Sequence, residues 1–310
     1  MADPEQIAHA ATIIQQGGVV AFPTETVYGL GANALNPAAI DKIYAIKQRP
    51  RTSPLIVHVA SVNMAKSLVS HWPESAERLA SRFWPGPLTL VLPKTAAIGE
   101  GLTAGLDTVG LRLPAHPVAQ ALIEAAGLPI AAPSANRFTQ LSATTAEHVR
   151  QSLGPQVDYI LDGGPTEVGI ESTVVSLAGE HPVLLRPGMI TQAEIESLIG
   201  PLQVVTASSG AHAAPGLHPK HYAPQTPLYL LHPGDPLPAP GSGLYLYWKQ
   251  PRPDIASEAM PPEAAAYAAA LYSRLHLIDQ QGLPWVALEA PPADPAWAGV
   301  LDRLDRARRR

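Results

Sequence analysis

The chain has no cysteine among its 310 residues, which excludes disulfides, zinc–thiolate sites and thiol nucleophiles. It has no apolar run approaching the roughly 20 residues of a membrane span. No lysine follows a glycine, so there is no Walker A loop, and Gly29-Leu30-Gly31 lacks the third glycine of a dinucleotide fingerprint. A nucleophile elbow and a His-Glu-x-x-His pair are likewise missing. Positive charge is scarce as well. Residues 1–205 carry 12 Lys and Arg against 17 Asp and Glu, and residues 206–310 carry nine of each, so the whole net charge of −5 resides in the first part. A protein that tracks a nucleic-acid backbone is usually basic over an entire face. A compact anion suits this balance better than a long polyanion, with a small basic groove for RNA as the alternative. The opening Asp3-Pro4-Glu5 is not the basic-then-apolar layout of a signal peptide, and the expected compartment is the cytoplasm.

What the chain has in quantity is proline and apolar residues. At 46% hydrophobic it can bury real cores, and its length suits two domains. Twelve of the 34 prolines fall between Pro215 and Pro262, marking a linker and loop-rich region. The expected organisation is a domain over 1–205, a Pro-rich linker or lid over 206–226, and a small domain over 227–310. Asp3-Pro4 and Asn36-Pro37 read as N-caps with Pro at the first helical position, and Thr191-Gln192-Ala193-Glu194 as a capping box. Short apolar runs bounded by Gly and Pro read as strands: Val19–Phe22, Leu55–Val59, Leu88–Leu92, Val109–Leu113, Leu128–Ala132, Tyr159–Leu161, Thr173–Leu177 and Val183–Leu185. Helical patterns such as Pro117–Ala126 and Ala146–Leu153 lie between them. The fold class is therefore α/β, a twisted mixed sheet with flanking helices. The second part, with strands near Leu228–Leu231, Leu244–Trp248 and Trp285–Leu288 and helices near 263–280 and 296–309, reads as a smaller, Rossmann-like α/β domain. The basic tail Arg306-Ala307-Arg308-Arg309-Arg310 reads as a solvated helix end.

Lys47, Arg49 and Arg51 place three cations in five residues just ahead of the apolar run Leu55–Val57, and no acidic residue lies between Lys42 and Pro73. Buried charge needs a partner, so this cluster points to an external anion, which the arginine fork suits. A solvated loop is the plainer reading of the cluster alone. Polar residues also recur at strand ends, where ligands sit in open α/β sheets. Arg112 and His58 each alternate with apolar neighbours, Ser134-Ala135-Asn136 follows one strand, Glu171-Ser172 precedes another, and Arg186-Pro187-Gly188 ends a third. Each is individually an ordinary turn or core residue; together they suggest one anionic pocket.

The segment Gly18–Gly31, containing Pro23-Thr24-Glu25-Thr26-Val27-Tyr28-Gly29-Leu30-Gly31, closely resembles the opening motif of the YrdC-domain family. Lys47-Gln48-Arg49 matches its KxR element and Ser134-Ala135-Asn136 its SxN element. Trp84-Pro85-Gly86-Pro87-Leu88-Thr89 and Leu185-Arg186-Pro187-Gly188 match too, and Ala214–Pro224 resembles the linker of the long, two-domain form. The resemblance implies a nucleotidyltransferase that makes threonylcarbamoyl-AMP and pyrophosphate from L-threonine, bicarbonate and ATP, for threonylcarbamoylation of tRNA at adenosine 37. Carried over residue by residue, it implies ATP contacts for Arg49, Ser53, Thr108, Asn136, Thr144 and Arg186, with His221 and Tyr222 from the lid. It implies threonine contacts for Thr26, His58, Arg112, Ser134 and Ser172, with Arg112 on the carboxylate. Lys47 and Arg49 are the implied catalytic pair, supporting phosphates. Mg²⁺ is implied as the companion of ATP, bound by its phosphates and by no protein ligand. Hand-off of the product to a threonylcarbamoyl transferase complex, and contact with tRNA, are implied partners. The chain departs from the family pattern at Gln48, where glycine is usual, at Ser53, where asparagine is usual, and at Arg137–Leu141, which lacks the usual Gly and Pro. The alternatives are an RNA-binding module on the same concave face and a carbamoyl-transfer enzyme of the hydrogenase-maturation type; the latter's acylphosphatase-like and zinc-finger segments are missing from this sequence.

Overall fold

The computed structural model describes residues 2–204, 222–239 and 242–308. Ten strands build the first sheet: β1 (Val20–Phe22), β2 (Gly29–Asn33), β3 (Ile56–His58), β4 (Leu88–Pro93), β5 (Thr108–Arg112), β6 (Ile130–Ala131), β7 (Tyr159–Ile160), β8 (Thr173–Ser176), β9 (Val183–Arg186) and β10 (Gln203–Val204). Their spatial order is β10-β9-β8-β4-β5-β3-β6-β2-β1-β7, with parallel and antiparallel neighbours mixed. Four more strands, β11 (Leu228–Leu231), β12 (Leu244–Tyr247), β13 (Ser257–Ala259) and β14 (Val286–Glu289), form a second, all-parallel sheet in the order β11-β14-β12-β13. Among the described residues no helix is long and apolar enough to cross a membrane.

The helix starts follow from local chemistry. Asp3 accepts from the Gln6 amide while the Gln6 side chain accepts from the Asp3 amide, and Thr191 and Glu194 repeat that reciprocal box. Asn36 caps Pro37–Lys47, which delivers Lys47 as the last helical residue and Arg49 into the loop beyond. That helix stops at Gln48, whose φ of 53° is left-handed. A glycine takes this conformation without strain, whereas Gln48 carries a Cβ penalty of about 1–2 kcal/mol. The departure from the family's glycine thus falls on a position where the backbone asks for one.

β2 was not apparent as a strand because Gly29-Leu30-Gly31-Ala32-Asn33 has no β-branched or aromatic residue. Its glycines have a packing reason: a Cβ on Gly31 would stand 2.6 Å from Phe22 Cε1 and 2.8 Å from Ile130 Cγ2. Two neighbouring strands can close on β2 only because that position is bare. The most amphipathic short helix, Glu74–Phe83, also escaped the sequence reading; its buried face is only Ala76, Leu79 and Ala80.

Two apolar layers flank the first sheet. One runs from Tyr28, Ile43 and Val57 to Leu90 and Ile195; the other packs Ile14 and Phe22 against Leu122 and Ile123. The core of the second sheet does not stop at that sheet. Leu271, Tyr272, Val300 and Leu304 share one buried cluster with Val27, Leu141, Ile170 and Tyr222. Burial at roughly 25 cal/mol per Å² of apolar surface makes such a continuous cluster a firm joint between the two sheets.

Candidate active site

The parallel pairing of β3 with β5 sets His58 directly beside Arg112. Gly29 of β2 bridges Ser134, which draws the loop after β6 to the same end of the sheet. Ser172, just before β8, and Arg186, at the end of β9, arrive from the other side. Thr26, His58, Arg112, Ser134 and Ser172 consequently line one cleft, together with Arg49, Arg186 and Tyr222. All five threonine-side expectations and three of the ATP-side ones are brought together here.

The remaining candidates stand elsewhere. Lys47 lies behind the cleft, where its Nζ donates to the carbonyls of Ser134 (2.5 Å) and Asn136. Burial, and then Arg49, push its pKa well below the usual ammonium range. Ser53 accepts from Arg49 Nη2 through its hydroxyl, and Pro54 accepts from the same nitrogen at 3.1 Å. Asn136 donates through Nδ2 to the carbonyls of Arg137 (2.8 Å) and Gln140 (2.9 Å), while its Oδ1 is buried without a partner. Thr144 is buried, with Oγ1 3.2 Å from His148 Nδ1. Thr108 lines a separate small recess with Ile56, Thr89 and Val174. His221, and the linker up to it, lie outside the described residues.

The cation cluster proves to be less bare than its sequence suggests. Arg51 is exposed and pairs with Asp41 at 2.7 Å, an acid one residue beyond the stretch that holds none. With Lys47 on two carbonyls, Arg49 is the cluster member that faces the cleft. Its burial lowers its pKa to about 10, so it is still a cation at neutral pH.

The threonine-side residues carry unmet polar capacity. His58 Nδ1, Arg112 Nε and Arg112 Nη2 are buried and have no hydrogen-bond partner. Glu25 stands 2.8 Å from Arg112 Nη2, close enough for an ion pair between two buried side chains. Neither carboxylate oxygen of Glu25 meets hydrogen-bond geometry, so this contact is charge proximity without directed bonds. Unpaired buried groups are costly, on the order of 1–3 kcal/mol each, and at a cleft they mark where a polar ligand belongs. Burial, and then Arg112, lower the His58 pKa to about 3, which leaves a neutral imidazole able to accept or donate one hydrogen bond.

Glu25 and Arg303 were not singled out by sequence reasoning, and Glu171 was named only as the residue ahead of Ser172, with no role of its own. Glu25 lies inside the Thr24-Glu25-Thr26 motif, and the need of a strand arginine for a counter-ion was the available signal. Glu171 lines the cleft and is held by Ser142 Oγ (2.5 Å), Tyr272 Oη (3.2 Å) and Arg303 Nε (2.7 Å). Burial works against its charge, but Arg303 and then Arg186 outweigh it and lower its pKa. Arg303 stands on the apolar stripe Val300, Leu304, Ala307 of the last helix, and a cation at that spacing was its signal.

Known proteins match both parts of the chain. A Sua5/YciO/YrdC family model, described as telomere recombination, matches residues 12–188. A second, described as the C-terminal domain of threonylcarbamoyl-AMP synthase, matches residues 190–308. The threonylcarbamoyl-AMP synthase of Bacillus subtilis is 42% identical over 98% of this chain and 93% of its own length. That of Pyrococcus abyssi is 50% identical over 71% of this chain and 66% of its own. A crystal structure of P. abyssi Sua5 complexed with L-threonine superposes with a TM-score of 0.90 at 38% identity, covering 97% of this chain and 93% of that one. Matched through both sheets and along nearly its whole length, the chain belongs to the threonylcarbamoyl-AMP synthase family in its two-domain form.

Proposed function

We propose that the chain joins L-threonine, bicarbonate and ATP into threonylcarbamoyl-AMP and pyrophosphate, for use in threonylcarbamoylation of tRNA. The observation that carries this reading is the cluster of His58, Arg112, Thr26, Ser134 and Ser172 in one cleft, with buried polar atoms still unpaired. Arg112 takes the threonine carboxylate, and neutral His58 takes a hydroxyl or amine. Arg49 and Arg186, which line the same cleft, take the phosphates.

The chemistry asks for little beyond placement. The threonine amine combines with bicarbonate, losing water, to give a carbamate. A carbamate oxygen then attacks the α-phosphorus, the new P–O bond forms, and the bond to pyrophosphate breaks with its electron pair leaving on the pyrophosphate oxygen. Fixed cations around the phosphates stabilise the charge that develops, and a shielded cleft strengthens them. Lys47 serves here by holding the Ser134–Asn136 loop in place. Ser53 orients Arg49, and Asn136 keeps one free oxygen, Oδ1, for the nucleotide. Thr108 and Thr144 need a larger nucleotide-bound cleft to take part.

Among the described residues no group of three or more His, Asp and Glu could hold a metal ion. The acid lining the cleft, Glu171, is engaged by Arg303, Ser142 and Tyr272. In this reading Mg²⁺ comes bound to the triphosphate, with water completing its shell. In this reading the protein works in the cytoplasm, where ATP and threonine are supplied, and its labile product passes to a threonylcarbamoyl transferase, with tRNA a further contact. The RNA-binding alternative finds little support in a chain whose first part carries the net negative charge.

The test is pyrophosphate release from ATP and Mg²⁺ by the purified protein. Release is expected only with threonine and bicarbonate both present. Equal release with threonine omitted would overturn the reading.

A further inference from the structure

We infer that Arg303 in the last helix (Ala298–Ala307) is a positioning residue for the substrate cleft, so that the second domain completes the site it flanks. The inference rests on the reading of that cleft as the threonine and ATP site.

Arg303 is fully buried, which is unusual for a guanidinium on a small domain's apolar stripe. Desolvating a charge costs several kcal/mol, and apolar residues of similar volume often stabilise a core better. Domain stability is therefore a poor reason for a cation here. Its hydrogen bonds point to another reason. Nε donates to Glu171 Oε2 at 2.7 Å and Nη2 to the Glu171 carbonyl at 3.1 Å. Nη1 donates to the Pro187 carbonyl at 3.0 Å, and to its own neighbour Asp302 at 2.6 Å. Three of these four bonds cross to the first sheet's domain and end on residues adjacent to Ser172 and Arg186.

Those two residues are themselves tied together. Arg186 Nε donates to the Ser172 carbonyl at 3.0 Å, and Nη2 to Ser172 Oγ at 3.1 Å. Ser172 Oγ also lies 2.8 Å from Thr89 Oγ1. A shift of Glu171 or Pro187 therefore moves a threonine-side and an ATP-side group at once. The guanidinium also stands 5.2 Å from the centre of the Tyr222 ring, over another cleft residue. The fork of Arg303 fixes three things that face substrate: the segment before β8, the segment after β9, and Tyr222.

The charged and titratable groups around Glu171 are Arg303 and Asp302 from the last helix, Tyr272 from Ala264–Gln281, Arg186 from β9, Lys47 and Tyr222. For Arg303, burial opposes the charge, but Tyr222, Glu171 and Asp302 outweigh it and raise its pKa. With Arg303 gone, the largest attractive influence on the Glu171 carboxylate is lost while its burial persists, and its pKa rises. Asp302 keeps Arg306 as a partner at 2.9 Å.

The experiment is steady-state kinetics of pyrophosphate release by full-length Arg303→Met, Glu171→Gln and the double variant, each across a pH series. Arg303→Met should lower kcat/KM for both threonine and ATP roughly 10- to 100-fold, the range expected for a lost charge-assisted hydrogen bond. Its activity should rise toward acid pH as Glu171 takes a proton, unlike the wild type, and Glu171→Gln should restore part of the loss. Wild-type kinetics in Arg303→Met would overturn the inference and leave the arginine as a domain joint. So would a loss with the wild-type pH profile and no rescue by the second change. If Arg303→Met fails to fold, Glu171→Gln alone decides: KM increases for both substrates are expected, and unchanged values overturn it. Arg112→Ala is the control for the site itself. A raised threonine KM there, with Arg303→Met normal, sinks only the inference; an unchanged threonine KM in Arg112→Ala sinks the cleft reading.

Discussion

Arg49 and Arg112 stand on the same cleft but meet different surroundings. Arg112 is ion-paired with Glu25 beside His58 but has no hydrogen bond at Nε or Nη2, whereas Arg49 is oriented by Ser53 and Pro54. Arg49→Ala should therefore raise KM for ATP and Arg112→Ala that for threonine, each by about 1.5–3 kcal/mol of lost charge-assisted bonding. Separate titrations of the two substrates check this; identical defects for both ligands in both variants would refute the division of labour. Strand-end patterning made His58, Arg112, Ser134 and Ser172 legible as one pocket, because strand register carries such residues to a common edge, whereas Thr26 and the assignment of all five to threonine came from the family resemblance. Charge partnership was much less legible. Asp41 comes from the helix Pro37–Lys47, and Glu25 and the carbonyls that accept from Lys47 come from loops, and no spacing discloses these approaches. Arg303 lies over a hundred positions from Glu171 and meets it only through packing between the two domains.

At the scale of elements, the caps and apolar runs were legible almost to the residue. Pro117–Ala126 and Ala146–Leu153 stand where their patterns put them, and the strands differ by one or two residues at their ends. What escaped were elements whose packing partner supplies the reason for them, such as β2 and the edge strands β10 and β13. One contact between elements yields a prediction. Gly188 follows Arg186-Pro187, and Gly299 opens the last helix against it: a Cβ on Gly299 would meet the Gly188 carbonyl oxygen at 2.7 Å and its Cα at 2.9 Å. Gly299→Ala gains up to about 1 kcal/mol of helix propensity. Crowding a backbone that cannot yield costs about 1–3 kcal/mol, so the net change is destabilising. Lower urea midpoints are expected, together with a raised threonine KM because the helix carrying Arg303 is displaced. An unchanged midpoint with normal kinetics would show that the two domains slide apart without cost.

For the whole molecule, four buried or half-buried histidines share one sign of shift. His58 is lowered to about 3 and His148 to about 4, and His116 and His276 are also lowered, in each case chiefly by burial. His148 and His276 stack at 3.8 Å across the two domains, so charging both would set cation against cation. The unfolded chain takes up these protons near pH 6.5, as free histidine does, while the native chain resists, at His148 until about pH 4 and at His58 until about pH 3. Stability held above about pH 6.5 is thus lost as pH falls, at up to roughly 1.4 kcal/mol per pH unit for a fully shielded group such as His58. Thermal melts between neutral pH and about pH 5 should show a falling Tm, with a shallower slope in His148→Gln and His276→Gln. A Tm that holds steady or rises on acidification would contradict the buried, neutral assignment.

The most direct measurement of the central claim follows the carbon atom. The purified protein is incubated with ATP, Mg²⁺, L-threonine and ¹³C-bicarbonate, and the nucleotide products are read by mass spectrometry. The account predicts an adenylate containing threonine and one labelled carbon, formed in step with pyrophosphate and lost in Arg112→Ala. Pyrophosphate accompanied by unlabelled AMP, or by an adenylate of threonine without the labelled carbon, would contradict it.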